Sequence, residues 1–147
     1  MLRMLRLSIL ATTVIAVGAF AQTGATFEPA PGMSVLCMYI TLNQSRAAVR
    51  YCERPWSDNQ EKSYTDLNSA LEQFIRANAG DRAAGLIAAY GEDAAQKVTT
   101  DQGESICKQE RLGLLMGFAY GMTGADGAVN ILKRLKTSQD PTEGACF

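Results

Sequence analysis

The sequence predicts an all-α fold: a single small helical bundle of about five helices, stapled by two disulfides. Three observations carry this. Apolar residues recur at every third or fourth position rather than alternating, the spacing of an amphipathic helix. β-Branched residues are sparse, and beyond Gly32 the only prolines are Pro55 and Pro141, so few breakers interrupt the helical stretches. Four cysteines, an even number, follow an N-terminal segment laid out like a secretory signal, and disulfides persist on the far side of a membrane.

That N-terminal segment, residues 1–21, is expected to be removed. Arg3 and Arg6 form a positive start, Leu7–Val17 a short apolar stretch, and Ala19-Phe20-Ala21 a small-residue cleavage site. The apolar stretch is too short for a spanning helix. No cysteine follows the cleavage site to carry a lipid anchor. The signal looks bacterial, so the expected location is periplasmic or secreted; the Asn43-Gln44-Ser45 sequon is weak evidence for a eukaryotic source. Cleavage leaves Gln22–Phe147, 126 residues with 12 Lys and Arg against 15 Asp and Glu, a net charge of −3. One domain of that length can bury a core. Its mild acidity carries no electrostatic footprint for nucleic acid.

Residues 22–32, with Pro29 and Pro31 among small residues, read as a flexible leader, and residues 33–147 as the disulfide-bonded helical domain. The first helix is expected over 34–53, capped by Ser34, with Val35, Met38, Tyr39, Leu42, Val49 and Cys52 on its core stripe. Pro55 stops it. The second opens on a capping box, Asp58 with Glu61 or Ser57 with Gln60, and repeats Tyr64, Leu67, Leu71, Phe74 and Ile75 until Gly80. Asp81 can cap a third helix with a smaller apolar face (Leu86, Ile87, Tyr90), ended by Gly91 and followed by a short helical turn over 92–98. Asp101 and Glu104, again at capping-box spacing, are expected to open a fourth helix through Met122. Its Leu112–Met122 stretch carries no charge on any face, which predicts the central, most buried helix. Gly124 and Asp126 break and recap the chain before a fifth helix with Val129, Ile131, Leu132 and Leu135, whose Lys133, Arg134 and Lys136 suit its C-terminal dipole. The tail from Thr137 has no periodicity, and Cys146 is expected to tie it down.

Cys37 and Cys52 stand 15 residues apart on one predicted helix, roughly 22 Å, beyond the ~7 Å reach of a disulfide. Two connectivities survive, and an up-down bundle favours Cys52–Cys107 with Cys37–Cys146. With no C-x-x-C and no histidine in the chain, structural bridges are expected over redox chemistry or a zinc site.

Gly113, Gly117 and Gly121 recur every fourth residue. Three interior glycines each cost about 0.8–1 kcal/mol relative to alanine, so something should compensate. The expected compensation is close packing of another helix, the first or second, against the stripe. The sharper alternative is membrane insertion or oligomerisation. Leu112–Leu132 has a bilayer's length, but its glycines and Asp126 disfavour that.

Without histidine, Ser-His-Asp triads, Cys-His dyads and H-E-x-x-H sites cannot form within the chain. Ser105-Ile106-Cys107-Lys108, Ser57-Asp58-Asn59 and Lys136-Thr137-Ser138 approximate the three motifs of serine β-lactamases. Their order is wrong and no strand is available for the third. Glu92 and Asp93 are expected in a solvated turn. The Glu53-Arg54-Pro55-Trp56 corner holds the sole tryptophan. Its bland reading is a helix end sealed by a packed indole. Its functional reading makes Arg50, Arg54 and Trp56 a partner anchor, since exposed Trp and Arg are typical hot-spot residues.

The expected function is therefore non-enzymatic: an exported helical protein that binds another macromolecule, a protein in the cell envelope, with no cofactor or metal and no nucleic acid. A carrier of small apolar ligands and a membrane-associated glycine-stripe protein are the alternatives, with a small hydrolase ranked last.

Overall fold

The computed structural model describes residues 32–54 and 56–146; the expected signal and nearly all of the leader lie outside them. Six α-helices follow in order: α1 (Val35–Tyr51), α2 (Asp58–Asn78), α3 (Ala83–Tyr90), α4 (Glu92–Gln102), α5 (Gln109–Thr123) and α6 (Ala125–Arg134). Short 3₁₀ turns at Gly80–Arg82 and Gly103–Cys107 lead into α3 and α5. The short turn expected after Gly91 is the full helix α4, and no strand occurs among the described residues.

Side-chain chemistry sets the first two helix starts. Ser34 Oγ accepts from the Cys37 amide at 3.0 Å. At α2 it is Ser57, not Asp58, that caps: its hydroxyl accepts from the Gln60 amide while Gln60 Oε1 accepts from the Ser57 amide. Each reciprocal bond satisfies a donor that the helix itself leaves orphaned. Two other expected caps are not formed. Asp81 sits inside the 3₁₀ turn before α3. Asp101 belongs to the last turn of α4, which runs on until Gly103 at φ 58°. A helix already under way overrides a local capping signal, so α5, capped at Lys108, starts seven residues later than Asp101 suggests.

The central element is α1. It packs against α2, α3, α4 and α5, and Val35, Met38, Tyr39, Leu42 and Ala48 are wholly buried. The expectation that the uncharged stretch of α5 would be innermost is overturned. Leu114 is 63 % exposed and Tyr120 43 %, while Leu112, Ala119 and Met122 alone of its apolar side chains are fully inside. α6 behaves likewise: Ile131 is buried, but Val129 and Leu132 face outward.

The disulfides are Cys37–Cys146 and Cys52–Cys107, with Cα atoms 5.4 and 5.6 Å apart. They grip the two ends of α1, one through the tail and one through the turn before α5. The tail is held by more than its cysteine. Pro141 O accepts from the Leu36 amide at 2.8 Å, and Ala145 exchanges backbone bonds with Gly32 and Ser34. Arg82 pairs with Asp140 at 2.5 Å, and Ser138 donates to Asn78. The amide of Leu36 in the first turn of α1 and that of its cap Ser34 thus find partners in the tail. Gly144, at φ 116°, lies so close to residue 32 that a Cβ there would sit 2.2 Å from the Gly32 oxygen.

The glycine stripe of α5 is not a packing seam against α1 or α2. A Cβ at Gly113 or Gly117 would meet nothing within 4 Å, and both glycines are exposed. Of the three, Gly121 alone meets a close neighbour: a Cβ on Gly127 of α6 would fall 1.8 Å from its oxygen. The close backbone approach is between α5 and α6, across one turn.

Candidate functional site

The corner at the C-terminal end of α1 gathers the arginine and tryptophan singled out in the sequence. Its shape follows from how the helix ends. The amide of Arg54 bonds to Val49 O at 2.9 Å and that of Glu53 to Arg50 O at 3.2 Å, the paired bonds of a Schellman motif. That motif needs one residue in the left-handed region, and Glu53 takes it at φ 52°. A glycine would occupy this position without strain, whereas a β-carbon costs about 1–2 kcal/mol. Glu53 and Arg54 are thereby turned outward, and the chain reverses into α2.

Trp56 does not project to solvent. It is 9 % exposed and stacks at a tilt on Tyr64, with ring centroids 5.9 Å apart and planes at 56°. As an exposed anchor it is therefore corrected: the indole seals the helix end, and its Nε1 has no hydrogen-bond partner among the described residues. The aromatic surface is spent largely on Tyr64 and the core, while the residue still lines the open hollow at the corner.

Behind the corner lies a polar seam centred on Arg46, a residue the sequence analysis does not single out. Arg46, buried beneath α2, stacks on the Tyr64 ring with its guanidinium carbon 4.3 Å from the centroid. It pairs with Glu61 at 3.0 Å and with Glu92. Arg50 reaches the same two carboxylates, at 3.3 Å for Glu92 and 3.9 Å for Glu61. Two arginines of α1 thus clamp one carboxylate of α2 and one of α4. Such a buried guanidinium is tolerated because it is both paired and stacked. Glu92, expected in a solvated turn, is an inter-helix tie placed in the first turn of α4, where a negative charge also suits the helix dipole.

The seam continues inward. Tyr64 donates to Asn43 Oδ1 at 2.6 Å, and Asn43 donates to Tyr39 O and to Asn68 Oδ1 at 2.9 and 3.0 Å. Tyr39 donates to Glu72 at 2.8 Å. Asn43, the sequon asparagine, is buried and fully engaged. Burial pushes both phenols above their ordinary value of 10.0, with the Glu92 charge adding at Tyr64 and the bond to Glu72 adding at Tyr39. The signal for this seam was Arg46 itself: it sits four residues after Leu42 and three before Val49, a charge on the apolar stripe of α1.

Arg54 is exposed like Arg50, but unlike Arg50 its guanidinium makes no ion pair among the described residues. It stands between two open hollows. One, about 470 Å³, is lined by Val49, Arg50, Glu53, Trp56 and Glu61. The other, about 460 Å³, is lined by Cys107, Leu112, Gly113 and Met116. Arg54 lines both, so the corner runs on to the N-terminal half of α5. The sequence brought Arg50, Arg54 and Trp56 to one place correctly; it gave no hint that α5 completes the surface.

The motif residues with a hydrolase-like pattern are dispersed into structural roles. Ser57 caps α2, and Ser105 Oγ donates to Gln102 O at 2.7 Å within a 3₁₀ turn. All four cysteines are bridged. Among the described residues no group of three or more Cys, Asp or Glu is placed to hold a metal ion, and no helix is long and apolar enough to cross a membrane. No family model matches the chain, and neither a curated protein nor a solved structure matches it.

Proposed function

We propose that this chain is an exported, disulfide-stapled binding protein that acts by docking another protein of the cell envelope at the α1 corner. The observation that carries the reading is Arg54, an exposed guanidinium without an ion pair among the described residues, flanked by two open hollows: one where Val49 and Trp56 sit among charged side chains, the other walled by Cys107, Leu112 and Met116. An arginine beside an aromatic floor and an apolar recess is a usual composition of an interface hot spot: the cation orients an acidic or carbonyl group while a partner's side chain fills the recess. Arg50 and Trp56 serve from behind, one clamping Glu61 and Glu92, the other fixing the floor. Two disulfides suit a protein that works in an oxidising compartment.

The test is site-specific photo-cross-linking in the producing cell. A photoreactive residue in place of Arg54 is expected to yield one discrete protein adduct, and the same residue in place of Ser69, exposed on α2, none. Arg54→Glu, with the photoreactive residue moved to Gly113, is expected to lose the adduct. Equal labelling from both sites, or none from the corner, would overturn the reading.

A second reading has its own observation. A hollow of about 300 Å³ between α4 and α5 is walled by Val98, Ile106, Leu114 and Leu115, with Thr99 and Arg111 supplying polar atoms. That size and lining are at the small end of ligand pockets and favour a carrier of small apolar acids. Saturable binding of a fluorescent fatty acid, lost in Leu115→Glu, would support it.

A further inference from the structure

We propose that the hollow between α4 and α5 takes a straight-chain aliphatic monocarboxylate of about eight carbons, its carboxylate at Arg111 and its chain between the two helices. The site is that of the carrier reading, on which this assignment rests; what is added is the ligand's head group, orientation and length. The polar atoms of the hollow gather at one end. Thr99 and Gln102 stand one turn apart on the same face of α4, and Gln102 Oε1 accepts from the Arg111 guanidinium at 3.4 Å. That bond leaves most of the guanidinium donors unused, and Arg111 makes no ion pair among the described residues. Thr99 is 1 % exposed, yet its hydroxyl makes no hydrogen bond among the described residues. A buried hydroxyl without a partner is costly. This one lines the hollow, where a bound acceptor satisfies it.

The apolar end lies one turn further along α5. Leu114 and Leu115 follow Arg111 by three and four residues, on the same face, and Val98 and Ile106 complete the walls. Val98 is 42 % exposed and Leu114 63 %, and a chain lying in the hollow covers both. An anion is favoured at the Arg111 end for a second reason. α5 starts without a side-chain cap, so its first amides stay open at the positive end of the helix dipole. Glu110 shares that turn but does not line the hollow. One guanidinium balances one negative charge, and its planar fork matches the two oxygens of a carboxylate. No aromatic side chain lines the hollow, so a flat ring finds no stacking partner there, whereas aliphatic walls suit an alkyl chain. Length follows from the volume of about 300 Å³. At the ~30 Å³ that a water molecule occupies, it holds on the order of ten non-hydrogen atoms, two oxygens and about eight carbons.

Isothermal titration calorimetry of the purified, disulfide-bonded protein with sodium carboxylates tests this. Octanoate is expected to bind saturably, with a dissociation constant on the order of 0.1 mM. From butanoate to octanoate the affinity is expected to rise about fourfold per methylene, then to level off beyond about ten carbons, where the chain emerges into water. Arg111→Met is expected to weaken octanoate about tenfold or more. It should leave octanol, the same chain with a neutral head, unchanged, which also shows that the variant folds. Thr99→Val, nearly the same in shape, is expected to weaken octanoate about threefold or more. Absence of binding by octanoate and octanol alike would overturn the carrier reading and this assignment together. Octanol bound as tightly as octanoate, or an octanoate affinity indifferent to Arg111→Met and Thr99→Val, would leave the carrier reading standing and overturn the carboxylate grip. An affinity that climbs evenly through tetradecanoate would overturn the length limit.

Discussion

Glu53 shows how much a single backbone angle decides. Its φ of 52° is the sole positive value among the described non-glycine residues, and it exists because the chain must leave α1 and turn within two residues into the segment carrying Trp56. The side chain itself forms no ion pair among the described residues. Glu53→Gly should therefore raise stability by about 1 kcal/mol, since relief of left-handed strain exceeds the extra freedom glycine gives the unfolded chain. Urea denaturation checks this; a fall in the midpoint would mean that the Glu53 side chain holds the corner in a way its geometry does not reveal. Trp56 gives the opposite lesson at the same scale. Its identity drew attention as an anchor, yet the indole is buried and it is the neighbouring Arg54 that faces outward.

Among the elements, α5 and α1 exchange the roles that composition suggests. α1 carries Arg46, Arg50 and Asn43 and is nevertheless innermost, because α2 and α4 supply a partner for each. α5 is uncharged over Leu112–Met122 and nevertheless lies half outside. The contrast between its glycines makes the point testable. At Gly127 an added Cβ would fall 1.8 Å from the Gly121 oxygen, so Gly127→Ala must push α6 off α5. A loss of about 1–3 kcal/mol is expected, outweighing the gain of about 1 kcal/mol in helix propensity. Thermal melts of Gly127→Ala beside Gly117→Ala should move in opposite directions; a common direction would contradict the α5–α6 contact.

For the molecule as a whole, stability converges on α1. Disulfides hold both its ends, the tail satisfies its first amides, and the tyrosine–asparagine–arginine seam joins it to α2 and α4. The two phenols of that seam give the fold a limit at high pH. Their pKa values are raised on folding, by burial first. Their contribution is therefore complete below the unfolded value near 10.0 and is lost as pH rises beyond it, because the unfolded chain releases the two protons while the folded chain retains them. Melting temperature is expected to fall steeply above pH 10, and less steeply in Tyr39→Phe, which keeps the ring and removes one proton. Equal slopes in the two proteins would show that Tyr39 ionises freely in the fold. At low pH, Asp140 is the marked group: bonds from the Thr142 hydroxyl and amide, then Arg82, hold its carboxyl down to about 2. That keeps the tail's ion pair intact through mild acid.

What the sequence by itself determined is what short-range chemistry controls. Ser34 and Ser57 with Gln60 set helix ends through hydrogen bonds, and Gly91 and Gly124 through the lack of a Cβ where the preceding turn comes close, all within a few residues. The disulfide pairing was legible in part: the length of one helix forbids Cys37–Cys52, and the up-down order of a bundle favours the observed pairing over the other that survives. The tertiary structure alone decided which face each helix buries. Periodicity reports that a helix has an apolar side only when a polar side contrasts with it, and α5 has almost no contrast, so its orientation depends on which flanks of α1 the other helices have left open. The same holds for the candidate surface. Arg54 became its centre only when α5 closed against the α1 corner, an approach of residues some sixty positions apart that no local pattern encodes.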